Sequence, residues 1–161
     1  MVPSVRSRLK LQGAGQGFTL VELIAAMTIM LLLTTIALPV ASVVVRRQKE
    51  AELKEDLRTM RSAIDRYKDF ADSGMIPTEM DTYGYPPTLD LLVKGVPLKG
   101  SKDKYKFLRN IPVDPMTGTA DWGMRSMQDD PDSHSWGGQD VFDVFSKSQG
   151  MGMNGTAYAD W

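Results

Sequence analysis

From Leu23 to Val45 the chain carries no charged residue, a run of 23 positions. As helix this is roughly 35 Å long at about 1.5 Å per residue, enough to cross a hydrocarbon core of about 30 Å. Such a segment cannot fold into an ordinary small core without leaving most of its apolar surface exposed. It therefore reads as a membrane or assembly helix. Just before the run stands one carboxylate, Glu22, four residues after Phe18. An ionisable group at the edge of an apolar span is expensive and marks a functional position.

The segment before the run is short and basic. Residues 1–17 hold Arg6, Arg8 and Lys10 and no acid. In a secretory signal the apolar stretch precedes the cut. Here a small residue, Gly17, precedes the apolar stretch, so cleavage there would remove the leader and keep the helix. The leader's positive charge favours a cytoplasmic start. Its loss would take the net charge from −1 to about −4. No basic stripe then remains to neutralise phosphates, which argues against a nucleic-acid partner.

Beyond the apolar run, Leu53, Leu57, Met60, Ile64, Tyr67 and Ala71 recur at alternating steps of four and three. This predicts an amphipathic helix with one buried face, ending at Ser73-Gly74. Residues 75–101 are rich in Pro and Gly and read as loop around one short helix near Thr88 to Lys94. Thr88 is the expected cap, with Leu89, Leu92 and Val93 inward. Tyr105 to Leu108 lead toward a first strand or turn, and Pro112 to Gly118 form a turn cluster. Trp122 to Met127 and Val141 to Ser146 read as strands. The expected fold class is α+β: a long N-terminal helix, half transmembrane and half amphipathic, packed on a small antiparallel sheet. The division is a leader at 1–17, an assembly helix at 18–45, its amphipathic continuation at 46–72 and a globular domain at 73–161.

Gly17-Phe18-Thr19-Leu20-Val21-Glu22-Leu23-Ile24 resembles the processing site of type IV pilins and type II secretion pseudopilins. Three further segments resemble major pseudopilins: Tyr85-Pro86-Pro87-Thr88, Ile111-Pro112-Val113-Asp114-Pro115 and Asp143-Val144-Phe145-Ser146. The resemblance implies a pilin-like fold, cleavage between Gly17 and Phe18 by a prepilin peptidase, and N-methylation of the Phe18 amine. It implies a single-pass protein of the bacterial inner membrane whose periplasmic domain joins a filament serving protein export. Its partners would be further copies of the chain, minor pseudopilins, the prepilin peptidase, an inner-membrane assembly platform and membrane lipid. A cytoplasmic ATPase would supply the work. Glu22 is expected to meet the Phe18 amine of a neighbouring subunit and so set register. Its rival role is to neutralise its own helix start. Pro39, which lacks a donor and clashes with the preceding turn, is expected to bend or melt the helix near Ala37 to Pro39.

The resemblance also implies calcium in the C-terminal loop, where Ser146, Ser148, Asn154 and Asp160 offer oxygens, with Thr156 beside them. The chain departs from the family there: Gly150 and Asn154 stand where aspartates are usual, and only Asp160 is charged. Asp129, Asp130 and Asp132 form a second acidic group, expected as a solvated turn. Catalysis finds no motif: there is one histidine, His134, no cysteine, and no nucleophile or phosphate-loop signature. The chain is expected not to be an enzyme. The other readings are a type IV pilin for adhesion, motility or DNA uptake, and a membrane-anchored binding domain.

Overall fold

The computed structural model describes residues 17–101 and 103–161, and for residues 36–39 the backbone alone. Helix α1 spans Leu20–Asp72. By its contacts the chain divides into two units, one ending at Ser42 and one beginning at Val43. The first unit's described part is helix with its apolar side chains exposed, from Leu20 and Val21 through Met30 to Leu33. Its threonines do not leave bare hydroxyls. Thr28, Thr34 and Thr35 each donate to the carbonyl four residues back, at 2.7, 2.8 and 2.9 Å. Such back-bonding satisfies a hydroxyl where no water is at hand. The helix continues without interruption through Ala37 to Pro39, so the local melting expected there is not seen.

In the second unit, α1 supplies one wall of the core. Leu53, Leu57, Met60, Ile64, Tyr67 and Ala71 are all buried, together with Ala63. A Schellman motif ends the helix. Gly74 N–H donates to Ala71 O at 2.9 Å and Met75 N–H to Phe70 O at 3.0 Å. Gly74 has φ +69°, the left-handed turn that this motif assigns to glycine. Aromatic rings cover the helix's last turns: Tyr67 meets Phe107 edge-on at 5.3 Å, and Phe70 stacks on Tyr105 at 4.9 Å.

Helix α2, Leu89–Lys94, buries Leu89 and Leu92, with Val93 packed at the margin. Thr88 occupies its N-cap position, but its side chain makes no capping hydrogen bond. The sheet part is divided between two antiparallel ribbons. Strands β1 (Val96–Pro97) and β2 (Lys104–Tyr105) pair Val96 with Tyr105. Strands β3 (Gly123–Arg125) and β4 (Asp143–Phe145) pair Met124 with Val144 and Gly123 with Phe145. Gly123 has a packing reason to be glycine: a Cβ there would lie 2.3 Å from the Phe145 ring.

The segment Val141–Ser146 ties the globular part together. Val141 N–H donates to Pro86 O at 2.8 Å, joining the Tyr-Pro-Pro-Thr segment. Ser146 Oγ donates to Asp114 Oδ2 at 2.6 Å, joining the Ile-Pro-Val-Asp-Pro turn. Asp114 is fully buried, and its Oδ1 accepts from Met116 N–H at 2.7 Å. Trp122, in turn, donates Nε1–H to Pro112 O at 2.9 Å.

Candidate assembly site

The N-terminal segment is exposed. Phe18 is 80 % exposed, and a Cβ on Gly17 would meet nothing within 4 Å. Gly17 and Phe18 are thus both exposed. Thr19 caps the helix. Its Oγ1 accepts from Glu22 N–H at 3.2 Å and its carbonyl accepts from Leu23 N–H at 3.1 Å. Thr19-x-x-Glu22 has the spacing of a capping box, a role the motif-level reading passed over although the signal was present. The Glu22 carboxylate makes no ion pair among the described residues. It projects from an apolar helix whose surface is bare, and apolar surface of that extent signals membrane or partner contact. Helix α1 has the length and composition of a membrane span.

The C-terminal loop was the other site expected. Two arginines hold it. Arg61 pairs with Asp143 at 2.6 Å and donates Nη2–H to Trp161 O at 2.7 Å. Arg125 pairs with the other Asp143 oxygen at 3.3 Å, donates to Ala159 O at 3.3 Å and lies over the Phe145 ring. A second anchor is Glu50, whose Oε1 accepts from Tyr158 OH and from Met153 N–H, each at 2.9 Å. Arg46 pairs with the same oxygen at 3.3 Å and donates to Met151 O. None of these long-range partners has a local sequence signature.

Tyr158→Phe removes one of the donors to Glu50 and leaves the others. The expected cost is about 1 kcal/mol in chemical denaturation, the net worth of one hydrogen bond to a charged acceptor in a partly solvated site.

Of the four expected calcium ligands, Ser146, Ser148 and Asp160 line one cavity with His134, and Asn154 lines a different one with Asp160. Their oxygens are mostly committed. Ser146 Oγ is bonded to Asp114, Ser148 Oγ accepts from Gly150 N–H at 3.3 Å, and Asn154 Oδ1 accepts from Thr156 N–H at 3.1 Å. Asp160 alone brings charge. Calcium asks for six to eight oxygens, usually with several carboxylates. This donor set does not fit it. Among the described residues, no three His, Cys, Asp or Glu side chains gather within reach of one metal.

A bare apolar helix that opens on a capped, carboxylate-bearing turn and continues into a small α+β head is the architecture of a pilin-like subunit. The model of the prokaryotic N-terminal methylation motif matches residues 15–38. The chain thus carries this motif at the start of an α+β fold that is pilin-like. The chain is similar to the type II secretion system core protein G of Pseudomonas aeruginosa, 30 % identical over 105 residues, 62 % of this chain and 66 % of that relative. The match thus spans just under two thirds of the relative's length. No solved structure matches the chain.

Proposed function

We propose that the chain is a structural, non-enzymatic subunit of a periplasmic pseudopilus in type II protein secretion. The observation that carries this reading is the exposed apolar helix opening on Gly17-Phe18 with an ion-pair-free Glu22 four residues on. In this reading a prepilin peptidase cuts between Gly17 and Phe18, and the Phe18 amine is methylated. The mature chain waits in the inner membrane with its head in the periplasm, then enters a filament with copies of itself and minor pseudopilins through an assembly platform. The Phe18 amine then supplies the cation that Glu22 lacks. An unpaired charge in an apolar setting costs several kcal/mol while a matched pair roughly breaks even, so the pair penalises misplaced subunits more than it strengthens correct ones. The similarity to a secretion protein favours this reading over a pilus for adhesion, motility or DNA uptake. The ion-pair-free Glu22 favours it over a simple membrane-anchored binding domain.

Mass spectrometry of the membrane-extracted protein tests the processing step. The wild type should begin with N-methyl-Phe18, and Gly17→Val should retain the leader. An intact Met1 in the wild type would refute the filament reading.

A further inference from the structure

The C-terminal loop meets α1 just past the apolar run. Met151 O accepts from Arg46 Nη2–H, and Met153 N–H donates to Glu50 Oε1 at 2.9 Å. Arg46 is the first residue after Val45. Glu50 lies five positions past Val45, about 7.5 Å along a helix that rises about 1.5 Å per residue. Val43, Val44 and Val45, the end of the run, belong to the same compact unit as the loop and are exposed. The polar layer on each side of a bilayer is about 5–8 Å deep, since about 30 Å of hydrocarbon lies within about 40–45 Å overall. With the run in hydrocarbon, the loop lies at headgroup level.

The loop is held by its own backbone and presents apolar side chains. Gly152 N–H donates to Thr156 O at 2.7 Å, Gly155 N–H to Gly152 O at 3.0 Å, and Met151 pairs with Ala157. Gly152 is buried against Trp161, where a Cβ would lie 2.3 Å from the ring. Successive side chains of an extended segment point to opposite faces, so an inward Gly152 leaves its neighbours outward. Those neighbours, Met151 and Met153, are 63 % and 44 % exposed. Methionine is unbranched and adaptable, which suits an irregular surface.

The charges beside the loop favour one sign. Residues 46–49 hold Arg46, Arg47 and Lys49 and no acid. Glu50 is turned to the loop, its Oε1 occupied by Tyr158 OH, Met153 N–H and Arg46. Arg47 and Lys49 are exposed and make no ion pair among the described residues. Apolar side chains flanked by basic ones suit a surface that lies on anionic lipid.

We propose that Met151 and Met153 of the C-terminal loop, with Arg47 and Lys49 of α1, form a docking surface for anionic lipid headgroups, a contact that rests on the proposed membrane span of α1. The methionines enter the headgroup layer, and the two long basic side chains reach lipid phosphates while their stems stay on apolar surface. The head is thereby seated on the bilayer while the subunit waits in the membrane, and extraction into a filament breaks this contact as well as withdrawing the span.

The chain has no cysteine, so one introduced cysteine carries a label at a single place. Met151→Cys, Met30→Cys and Met80→Cys are each labelled with a nitrobenzoxadiazole fluorophore. Met30 and Met80 are both exposed, and Met80 lies near Gly84, which packs on Ala71 at the far end of α1. The full-length proteins are reconstituted in vesicles of phosphatidylcholine, with or without phosphatidylglycerol, carrying nitroxide quenchers on headgroups or acyl chains. Headgroup quenching at position 151 should rise with phosphatidylglycerol, while position 80 stays unquenched in both lipids. Each basic residue at an anionic surface shifts such an equilibrium about fivefold. Arg47→Gln with Lys49→Gln should therefore return position 151 to its value in phosphatidylcholine. Equal quenching in the two lipids, or no change in the double variant, would overturn the docking, since tethering alone brings the loop near the bilayer. So would quenching at 151 that varies with protein density, which would put a second copy on the loop. Acyl-chain quenching at position 30 separates the two levels. If it is present and position 151 shows no lipid dependence, only the docking falls; if it is absent, the span reading falls and the docking with it.

Discussion

Asp114→Ala is expected to destabilise the globular part by about 3 kcal/mol. Its two oxygens accept from Met116 N–H and Ser146 Oγ, and both Asp114 and Ser146 are fully buried. Removing the carboxylate orphans two donors, and each buried unsatisfied group costs about 1–3 kcal/mol. The mutation also cuts the link between the turn after Ile111 and the end of β4. Trp122, bonded to Pro112 O two residues before Asp114, reports the change through its fluorescence. Ser146→Ala should cost about half as much, since Met116 N–H keeps its partner. The double variant should cost less than the sum of the singles, as expected for two groups in direct contact. A loss below about 0.5 kcal/mol for Asp114→Ala would show that the clamp does not hold the head, that value being the scatter of ordinary surface substitutions.

The same clamp shows what the sequence could and could not announce. The buried face of α1 was legible because helical period and burial coincide: each of the six spaced positions from Leu53 to Ala71 is buried. The helix end was legible because Ser73-Gly74 has the chemistry of its cap. Strands β3 and β4 fall within the expected segments but are shorter, since each has only one partner. Ribbon β1–β2 was not legible. Its strands have two residues each, one of them Pro97, which is too short for alternation to register. The motifs around Pro86, Asp114 and Ser146 were visible one by one, but their convergence on Val141–Ser146 depends on contacts 32 or more residues apart. The fastening of the C-terminal loop was not legible for the same reason. Its oxygens suggested a metal, whereas Arg61, Arg125 and Glu50, far off in sequence, do the fastening.

Glu22→Ala is expected to leave processing intact and to abolish assembly. The variant keeps Gly17-Phe18 and should yield the same N-methylated mature mass, less the side-chain change. In the proposed filament it loses the partner for a neighbour's Phe18 amine. Leaving that cation unpaired in an apolar packing costs several kcal/mol. A loss of about 3 kcal/mol at each contact weakens association roughly a hundredfold. Sedimentable filament should therefore fall by at least tenfold while membrane-bound subunit accumulates. Thr19→Ala separates this role from helix capping. Thr19 Oγ1 accepts from Glu22 N–H, so its loss removes the cap, worth about 1 kcal/mol, and spares the carboxylate. If Glu22 acts only at its own helix start, the two variants should impair assembly equally. If Glu22 sets register between subunits, Thr19→Ala should still assemble and Glu22→Ala should not. Normal filaments from processed Glu22→Ala protein would remove the register role altogether, leaving apolar packing of α1 as the force that joins subunits.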